Sequence, residues 1–364
     1  MASAVTDSGP RVVVIGAGII GQSTAYYLAH AGAAVTLMDS DDGPSPTSRS
    51  SLGVLTHAYG ADDAYSSFYR DCHALHEPLS ALLLQETGID VGWRPLGGID
   101  LAFDEGEAGT LRDWVDLNLS RGAEAEWLDE STLREAEPGL TTAALGGARF
   151  PQDGRVDPVR LGTALRVAAQ KRGTVVRTST TVTEIRPLDG GVDCHLAMAS
   201  GECTESYDVA VVTTGAWTGE LAPSVRVRPI RGQSGFFSGV HVRHVLRWGG
   251  LHALPDGDDT LVGGTVDEVG FDLTTTDAAR QELMAWSGRL FDPAPSLRQL
   301  RAGLRPKPRR GRPVITPLET GTLFVATGHY KSGILMGPHT GQVVARWIME
   351  GSPGRDMSPF TIAR

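Results

Sequence analysis

Several features are scarce or absent in this sequence, and each absence excludes a class of protein. The 364 residues include only three cysteines, Cys72, Cys194 and Cys203, which are far apart and form no CxxC pair. Their spacing excludes a disulfide framework and the usual zinc motifs, and it is typical of a reducing compartment. No apolar run is long enough to span a bilayer, and the first residues, MASAVTDSGPR, lack the basic and apolar regions of a signal peptide. We therefore expect a cytoplasmic protein without a membrane partner or a metal site.

Positive charge is also scarce. The chain has 33 Lys and Arg against 43 Asp and Glu, a net charge of −10, which argues against a nucleic-acid partner. The run RPKPRRGRP (305–313) is a local exception to this balance. A hydrophobic content of 41% is ordinary for a globular protein, and the length suggests two domains. A homo-oligomer is compatible with all of these features.

The clearest local pattern is a βαβ unit over residues 11–39. RVVVI (11–15) is typical of a strand buried on both faces, the segment 17–32 has helical spacing, and AAVTLMD (33–39) predicts a second strand. Gly16, Gly18 and Gly21 form a GxGxxG motif where the first strand passes into the helix. This context predicts a dinucleotide site.

Each residue of this motif has a physical task. The first glycine allows a tight turn, the second lets a pyrophosphate approach the backbone, and the third lets helix and strand pack closely. Asp39 ends the second strand, where its carboxylate is placed to accept hydrogen bonds from a ribose. An acid there disfavours the 2′-phosphate of NADP, but the motif alone leaves NAD and FAD open.

A second glycine-rich segment, GHYKSGILMGPHTGQ (328–342), lies near the end of the chain and precedes the helical pattern VVARWIMEG (343–351). Two such turns more than 300 residues apart indicate either two nucleotides or one long cofactor bound at both ends. Apolar strands that end in glycine turns occur at 11–39, 174–219 and 322–333. We therefore predict a discontinuous nucleotide-binding domain over 1–55, 145–222 and 300–364, with a second domain formed by 56–144 and 223–299.

Five segments, taken in order, resemble the D-amino acid oxidase (DAO) family of FAD-dependent oxidoreductases, and most of all its glycine oxidase branch, which includes the ThiO enzymes of the thiamine pathway and is related to sarcosine oxidase. These segments are VVVIGAGIIGQSTAYYLAHAGAAVTLMD (12–39), SRSSLGVL (48–55), VVTTGAWTG (211–219), RAGLRPKPRRGRPVITP (301–317) and GHYKSGILMGPHTG (328–341).

The resemblance implies an α/β fold: a Rossmann-like FAD-binding domain of the glutathione-reductase and hydroxybenzoate-hydroxylase type, with an inserted α+β substrate domain on a mixed or antiparallel sheet. It implies that the ADP half of FAD lies at the first glycine turn and the flavin at the second. Because no cysteine lies in 305–335, where sarcosine oxidases attach their flavin, we expect non-covalent FAD. The implied cofactor-binding residues are Gly16, Gly18, Ile20, Gly21, Asp39, Ser48, Arg49, Ser51, Val182, Thr214, Gly215, Gly328, His329, Gly333 and Ile334.

The resemblance also implies the residues around the substrate. Arg305 matches the arginine that binds the substrate carboxylate, a task that suits a planar fork of donors. Tyr330 and Lys331 are candidates for the flavin rim, although Lys331 can equally be a surface lysine. His252 falls about where glycine oxidases carry a tyrosine, and an ordinary strand histidine is the stronger reading of it. This departure leaves the identity of the substrate open.

The implied reaction is oxidation of a small amino acid or an N-substituted glycine, of the glycine, sarcosine or D-amino acid type. Hydride would pass from the α-carbon to flavin N5, giving an imine, with O₂ the expected acceptor. The alternative is a flavin-binding subunit or dehydrogenase of a biosynthetic assembly, acting on a more elaborate amine and passing electrons to another acceptor. A nicotinamide dehydrogenase would need only the first glycine turn and would leave the second without a task.

Overall fold

The computed structural model describes residues 9–57, 62–318 and 321–362. The α-helices in these ranges are α1 (Ile19–His30), α2 (Pro46–Ser50), α3 (Ala64–Thr87), α4 (Glu105–Ser120), α5 (Glu130–Ala136), α6 (Pro158–Lys171), α7 (Thr218–Leu221), α8 (Asp277–Leu290) and α9 (Gly333–Glu350). The strands are β1 (Arg11–Ile15), β2 (Ala34–Met38), β3 (Val54–Leu55), β4 (Gly98–Ala102), β5 (Glu126–Asp129), β6 (Gly146–Phe150), β7 (Gly154–Arg155), β8 (Val175–Arg177), β9 (Thr181–Leu188), β10 (Gly191–Met198), β11 (Gly201–Tyr207), β12 (Val209–Val212), β13 (Val227–Ser238), β14 (Val245–Trp248), β15 (Leu251–Asp256), β16 (Asp259–Gly263), β17 (Ser296–Pro308), β18 (Val314–Pro317) and β19 (Leu323–Thr327).

One sheet joins the three parts of the chain in which the sequence predicted apolar strands. Its order is β18-β19-β12-β1-β2-β8, with β18 antiparallel to β19 and the other neighbours parallel. Alternate residues of β1 face opposite sides of this sheet. Val12 and Val14 pack with α1, α3, α6 and α9, whereas Val13 and Ile15 pack with the antiparallel sheet β11-β10-β9. Both faces are therefore covered, which explains why β1 is apolar at every position after Arg11.

A second large sheet has the order β17-β13-β16-β15-β14-β4-β6-β5. Its strands pair antiparallel except for β4 and β14, which are parallel, so the predicted mixed sheet is confirmed. A separate apolar cluster, which includes Leu246, Val262 and Leu283, joins the sheet to α8. The strand β17 runs across position 300, and the domain division at the boundaries given above stays a prediction.

Helix α3 differs from its sequence-based prediction. The sequence over 63–88 has helical spacing and predicts a break near Pro78, but the helix continues through that residue from Ala64 to Thr87. Proline removes the hydrogen bond to the carbonyl four residues earlier, which here belongs to Ala74. Both Ala74 and Pro78 are exposed, so water can bind the released carbonyl.

Helix α9 also differs, because it begins at Gly333 rather than near 343. Two of the glycines that suggested a turn lie inside the helix and allow close packing against α1. A Cβ on Gly341 would come within 2.7 Å of the Thr24 nitrogen, and one on Gly337 would come within 3.1 Å of Ile19. Such distances leave no room for a larger residue at position 341, so these glycines serve helix packing.

Within the described residues, no helix is long and apolar enough to cross a membrane. The same ranges contain no group of three or more His, Cys, Asp or Glu side chains arranged to hold a metal ion.

Candidate functional site

A cavity of about 440 Å³ runs between the two glycine-rich turns and the large mixed sheet. Its wall includes Gly16 and Gly18 at one turn, Gly333 at the other, and Arg305 of β17. Residues separated by more than 300 positions in the chain therefore face one space. Its volume is in the usual range for ligand and cofactor sites.

The three glycines of the first turn have three different environments. Gly16 has a φ of +100°, and a Cβ there would lie 2.8 Å from the Thr213 carbonyl oxygen. A Cβ on Gly21 would collide with the Gly16 carbonyl, so this glycine sets the close contact between α1 and β1. A Cβ on Gly18 would have no neighbouring atom within 4 Å, and Gly18 lines the cavity. Of the three glycines, only Gly18 leaves the space where a Cβ would lie free for a ligand.

Asp39 lies beside this turn, at the end of β2. Its carboxylate accepts backbone hydrogen bonds from Ala17 at 2.5 Å and from Asp41 at 2.9 Å. Each carboxylate oxygen has further lone-pair capacity, so both oxygens can still accept a hydroxyl donor from the cavity.

The second turn combines unusual backbone with an open helix end. Gly328 and Tyr330 both have positive φ, +77° and +49°, and for tyrosine this conformation is strained. The turn leads into α9, whose first turn has neither a side-chain cap nor an acidic residue. Gly333 and Ile334 from that first turn line the cavity. Free backbone N–H groups and the helix dipole therefore favour negative charge at this position.

Most of the residues that the sequence indicated do line the cavity. These are Gly16, Gly18, Ile20, Asp39, Ser48, Ser51, Val182, Thr214, Gly215, His252, Arg305, His329, Tyr330, Lys331, Gly333 and Ile334.

The cavity wall does not include Gly21, Arg49 or Gly328. Gly21 acts in packing and Gly328 in the turn. Arg49 belongs to α2 and has an exposed side chain. Ser48 and Ser51 line the cavity, whereas the exposed side chain of Arg49 does not.

Arg305 is a half-buried cation at the cavity wall. Its Nη1 donates a hydrogen bond of 2.7 Å to the Thr265 carbonyl, and burial lowers the pKa of its guanidinium. No ion pair to Arg305 is present within the described residues. The guanidinium is therefore oriented and charged, with donors left for an anion.

Gly232 of β13 makes the position of Arg305 possible. A Cβ on Gly232 would collide with the carbon and both terminal nitrogens of the guanidinium. The guanidinium therefore lies directly against the bare backbone of the neighbouring strand. No sequence pattern indicated Gly232, because the role of a glycine in a strand depends on which side chain of the neighbouring strand packs against it.

We predict that Gly232→Ala displaces the Arg305 guanidinium and weakens substrate binding about tenfold, as overpacking by one methyl group costs about 1–3 kcal/mol. KM for the substrate should rise, while the bound cofactor is retained. In an Arg305→Ala background the same change should have almost no effect, because Gly232 acts through Arg305. Equal losses in both backgrounds would contradict this positioning role.

Lys331 and Tyr330 lie at the same end of the cavity. Burial and the nearby charge of Arg305 lower the pKa of Lys331, although the residue as a whole is exposed. The Tyr330 ring lies 5.8 Å from the Lys307 ammonium. Lys307 itself does not line the cavity.

Two histidines complete this end of the cavity, and both are neutral at pH 7. Burial, together with the charge of Arg247, lowers the pKa of His252 to about 4, and burial lowers the pKa of His329 to about 3. The Nε2 of His329 lies 3.0 Å from the Thr340 hydroxyl. The Nδ1 atoms of both rings are buried without a hydrogen-bond partner in the described residues. Buried imidazole nitrogens normally have partners, so both Nδ1 atoms are available for a hydrogen bond with a bound ligand.

Sequence analysis missed several small polar residues that line the cavity. Thr47 donates a hydrogen bond to the Leu304 carbonyl at 2.8 Å, and Ser234 donates one to the Ser50 carbonyl at 2.9 Å. These contacts join α2 to the large sheet beneath the cavity. The position of Thr47 directly before the SRSSLG segment could have indicated that it lines the cavity. No sequence pattern indicated Ser234.

The residues present fit a long dinucleotide cofactor such as FAD. Gly18 is bare, Asp39 retains acceptor capacity, and the first turns of α1 and α9 both face the cavity without acidic residues. The orphaned Nδ1 of His329 adds an unused polar group beside α9. One ligand with an anionic centre and an electron-accepting ring would meet all of these groups.

Comparison with known proteins agrees with this geometry. Residues 11–347 match the DAO family, described as FAD dependent oxidoreductase. The chain is 30% identical to glycine oxidase of Geobacillus kaustophilus over 97% of this chain and 96% of that protein. It is 26% identical to hydrogen cyanide synthase subunit HcnC of Pseudomonas aeruginosa over 97% of this chain and 95% of that protein. The crystal structure of glycine oxidase from Geobacillus kaustophilus superposes with a TM-score of 0.90 at 27% identity, covering 98% of this chain and 99% of that one.

Proposed function

Because the chain belongs to the DAO family of FAD-dependent oxidoreductases, whose chemistry here is oxidation of an amine or amino acid, we propose that its substrate is a small amino acid or an N-substituted glycine. The product is the imine, which water hydrolyses. The observation that carries this proposal is Arg305, an oriented cation without an ion-pair partner in the described residues, at the cavity wall near the second turn.

In this proposal FAD is bound without a covalent link. The backbone at Gly16 and Gly18 would hold the pyrophosphate, and Asp39 would accept a hydrogen bond from a ribose hydroxyl. The first turn of α9, with Gly333 and Ile334, would hold the flavin end. Bound FAD supplies a two-electron acceptor for the hydride that leaves the substrate.

The protein's part in the reaction is to orient the substrate and to keep its amine neutral. Arg305 binds the α-carboxylate through two parallel hydrogen bonds, which fixes the direction of the α C–H bond. Nearby positive charge from Arg305 and Lys331 disfavours an ammonium group and so lowers the pKa of the bound amine. The α C–H bond then breaks with its electron pair, the nitrogen lone pair forms the C=N bond, and the nitrogen releases its proton to water.

No strong protein base is needed for this sequence of events. With a pKa of about 4, His252 is a weak base, although its buried Nδ1 can exchange a hydrogen bond with the substrate. We assign it a binding role beside Arg305. The acceptor proposed for reoxidation is O₂, which takes two electrons and two protons to give hydrogen peroxide.

We expect anaerobic addition of glycine, sarcosine, D-alanine or D-proline to the yellow holoenzyme to bleach the flavin absorbance near 450 nm, about the usual band for oxidised flavin. Admission of air should restore the colour with one hydrogen peroxide per flavin. A holoenzyme that stays yellow with all four compounds would contradict the proposal for small substrates.

A second candidate is favoured by the likeness to HcnC, which is named as a subunit of a larger enzyme. In that case the chain is a flavin-binding subunit or dehydrogenase of an assembly that passes electrons to another acceptor. Bleaching by substrate with no recovery in air, but recovery with an artificial electron acceptor, would select this candidate.

A further inference from the structure

The substrate end of the cavity contains two cations and no carboxylate to balance them. Arg305 comes from β17, and Lys331 comes from the turn between β19 and α9; both line the cavity. Neither makes an ion pair within the described residues. The acidic residues of the wall are Asp39, Asp41 and Glu220, which belong to other elements.

The carboxylate of Asp267, whose charge acts on Arg305, is hydrogen-bonded to other side chains. Asp267 accepts hydrogen bonds from the Arg231 side chain at 3.3 Å and from the Gln233 amide at 3.1 Å. Arg231 is only 4% exposed, so this pair is built into the sheet and does not line the cavity. Arg231 also donates a hydrogen bond to Asp272, so both acids are paired with Arg231, and neither forms an ion pair with Arg305 or Lys331 within the described residues.

Two like charges beside one cavity repel each other, and the arrangement is stabilised when an anion binds between them. One carboxylate is enough for the Arg305 fork, since a guanidinium and a carboxylate match in a bidentate pair. The Lys331 ammonium has three further donors and acts as a compact point charge. A second anionic group on the substrate would accept hydrogen bonds from this ammonium and balance its charge.

We propose that the natural substrate carries a second carboxylate, bound by Lys331, in addition to the α-carboxylate bound by Arg305. This rests on the proposed function and narrows its substrate class to amino dicarboxylates and N-carboxyalkyl glycines. A monovalent anion suits a single ammonium, whereas a phosphate dianion would need more positive charge than Lys331 supplies. His252 also lines the cavity, and burial together with the charges of Arg247, Lys331 and Arg305 keeps it neutral.

The first test compares N-(carboxymethyl)glycine with sarcosine, its analogue without the second carboxylate, in anaerobic titration of the holoenzyme. The half-saturating concentration for flavin reduction should be at least about tenfold lower for the diacid, the lower end of what a hydrogen bond to a charged group contributes. Reduction by sarcosine with no preference for the diacid would overturn this inference and leave the proposed function standing. Reduction by neither compound would overturn this inference, and the proposed function fails with it only if glycine, D-alanine and D-proline also leave the flavin oxidised.

The second test assigns the preference to Lys331. Lys331→Gln should reduce the diacid-to-monoacid preference at least about tenfold. Lys307→Gln is the matched control, because Lys307 is a neighbouring cation that pairs with Glu268 and does not line the cavity. The control should retain the preference. Equal losses for both substrates in Lys331→Gln would indicate an action on the cofactor or on the shared α-amino acid part and would overturn the assignment.

A third measurement avoids turnover altogether. Oxydiacetate and methoxyacetate have the same shapes as the two substrates but carry an ether oxygen in place of the amine, so neither can form an imine. Calorimetric titration of the holoenzyme should give tighter binding for oxydiacetate than for methoxyacetate, and Lys331→Gln should remove the difference. Equal affinities in the unsubstituted protein would overturn the proposal.

Discussion

Arg305→Ala should lower kcat/KM for the substrate about a thousandfold while leaving FAD bound. The loss corresponds to about 4 kcal/mol, within the range for removing one partner of a buried, hydrogen-bonded charge pair. The size of the effect follows from the site: Arg305 is held by Thr265, lies against Gly232, and has no ion-pair partner in the described residues that would compete with the substrate. Stopped-flow reduction of the flavin at several substrate concentrations measures the change directly.

Arg305→Lys is the matched control. It retains the positive charge but loses the planar fork, so the fall in kcat/KM should be smaller, about 30-fold. Most of the loss in both variants should lie in substrate affinity rather than in the limiting rate of reduction. Kinetics that do not change in Arg305→Ala would remove this residue from the substrate site.

Gly18→Ala should weaken FAD binding about a hundredfold without destabilising the apoprotein. Gly18 has an ordinary φ of −70°, and a Cβ there has no atom within 4 Å, so alanine costs the empty fold almost nothing. The same methyl group occupies the space through which a pyrophosphate would approach the backbone. Such overpacking costs about 3 kcal/mol, which corresponds to the hundredfold change in Kd. Fluorescence titration of apoprotein with FAD gives the affinity, and thermal unfolding of the apoprotein gives the stability.

Two further variants separate cofactor contact from fold damage. Gly21→Ala would force a methyl group onto the Gly16 carbonyl, so it should lower both apoprotein stability and FAD affinity. Gly109→Ala, inside α4 and also free of contacts within 4 Å, should leave FAD affinity unchanged and raise apoprotein stability by about 0.5–1 kcal/mol, the helix preference of alanine over glycine. If Gly18→Ala binds FAD as tightly as the unsubstituted protein does, the pyrophosphate does not lie at this turn.

Local patterns were sufficient to predict much of this protein. The βαβ unit at 11–39, the glycine motif and the acid at position 39 depend on neighbours close in the chain, and the structure forms them as predicted. The family resemblance was carried by segments that are each continuous, and the comparisons confirmed it. The two helix errors have local causes as well: Pro78 was expected to break α3, and the glycines near 337 were expected to form a turn.

What only the tertiary structure decided is which distant residues meet. Gly232 and Arg305 come together because β13 and β17 pair with Gly232 opposite Gly303, and no sequence pattern gives that register. Arg49 lies between cavity-lining residues in the chain, and only the folded structure shows that its exposed side chain does not line the cavity. The sequence alone therefore determined that the cofactor is a dinucleotide, because phosphate binding needs a local backbone conformation that glycine spacing encodes. The charge around the substrate is determined by strands and turns far apart in the chain, since Coulomb interactions depend on distance in space rather than on separation in sequence.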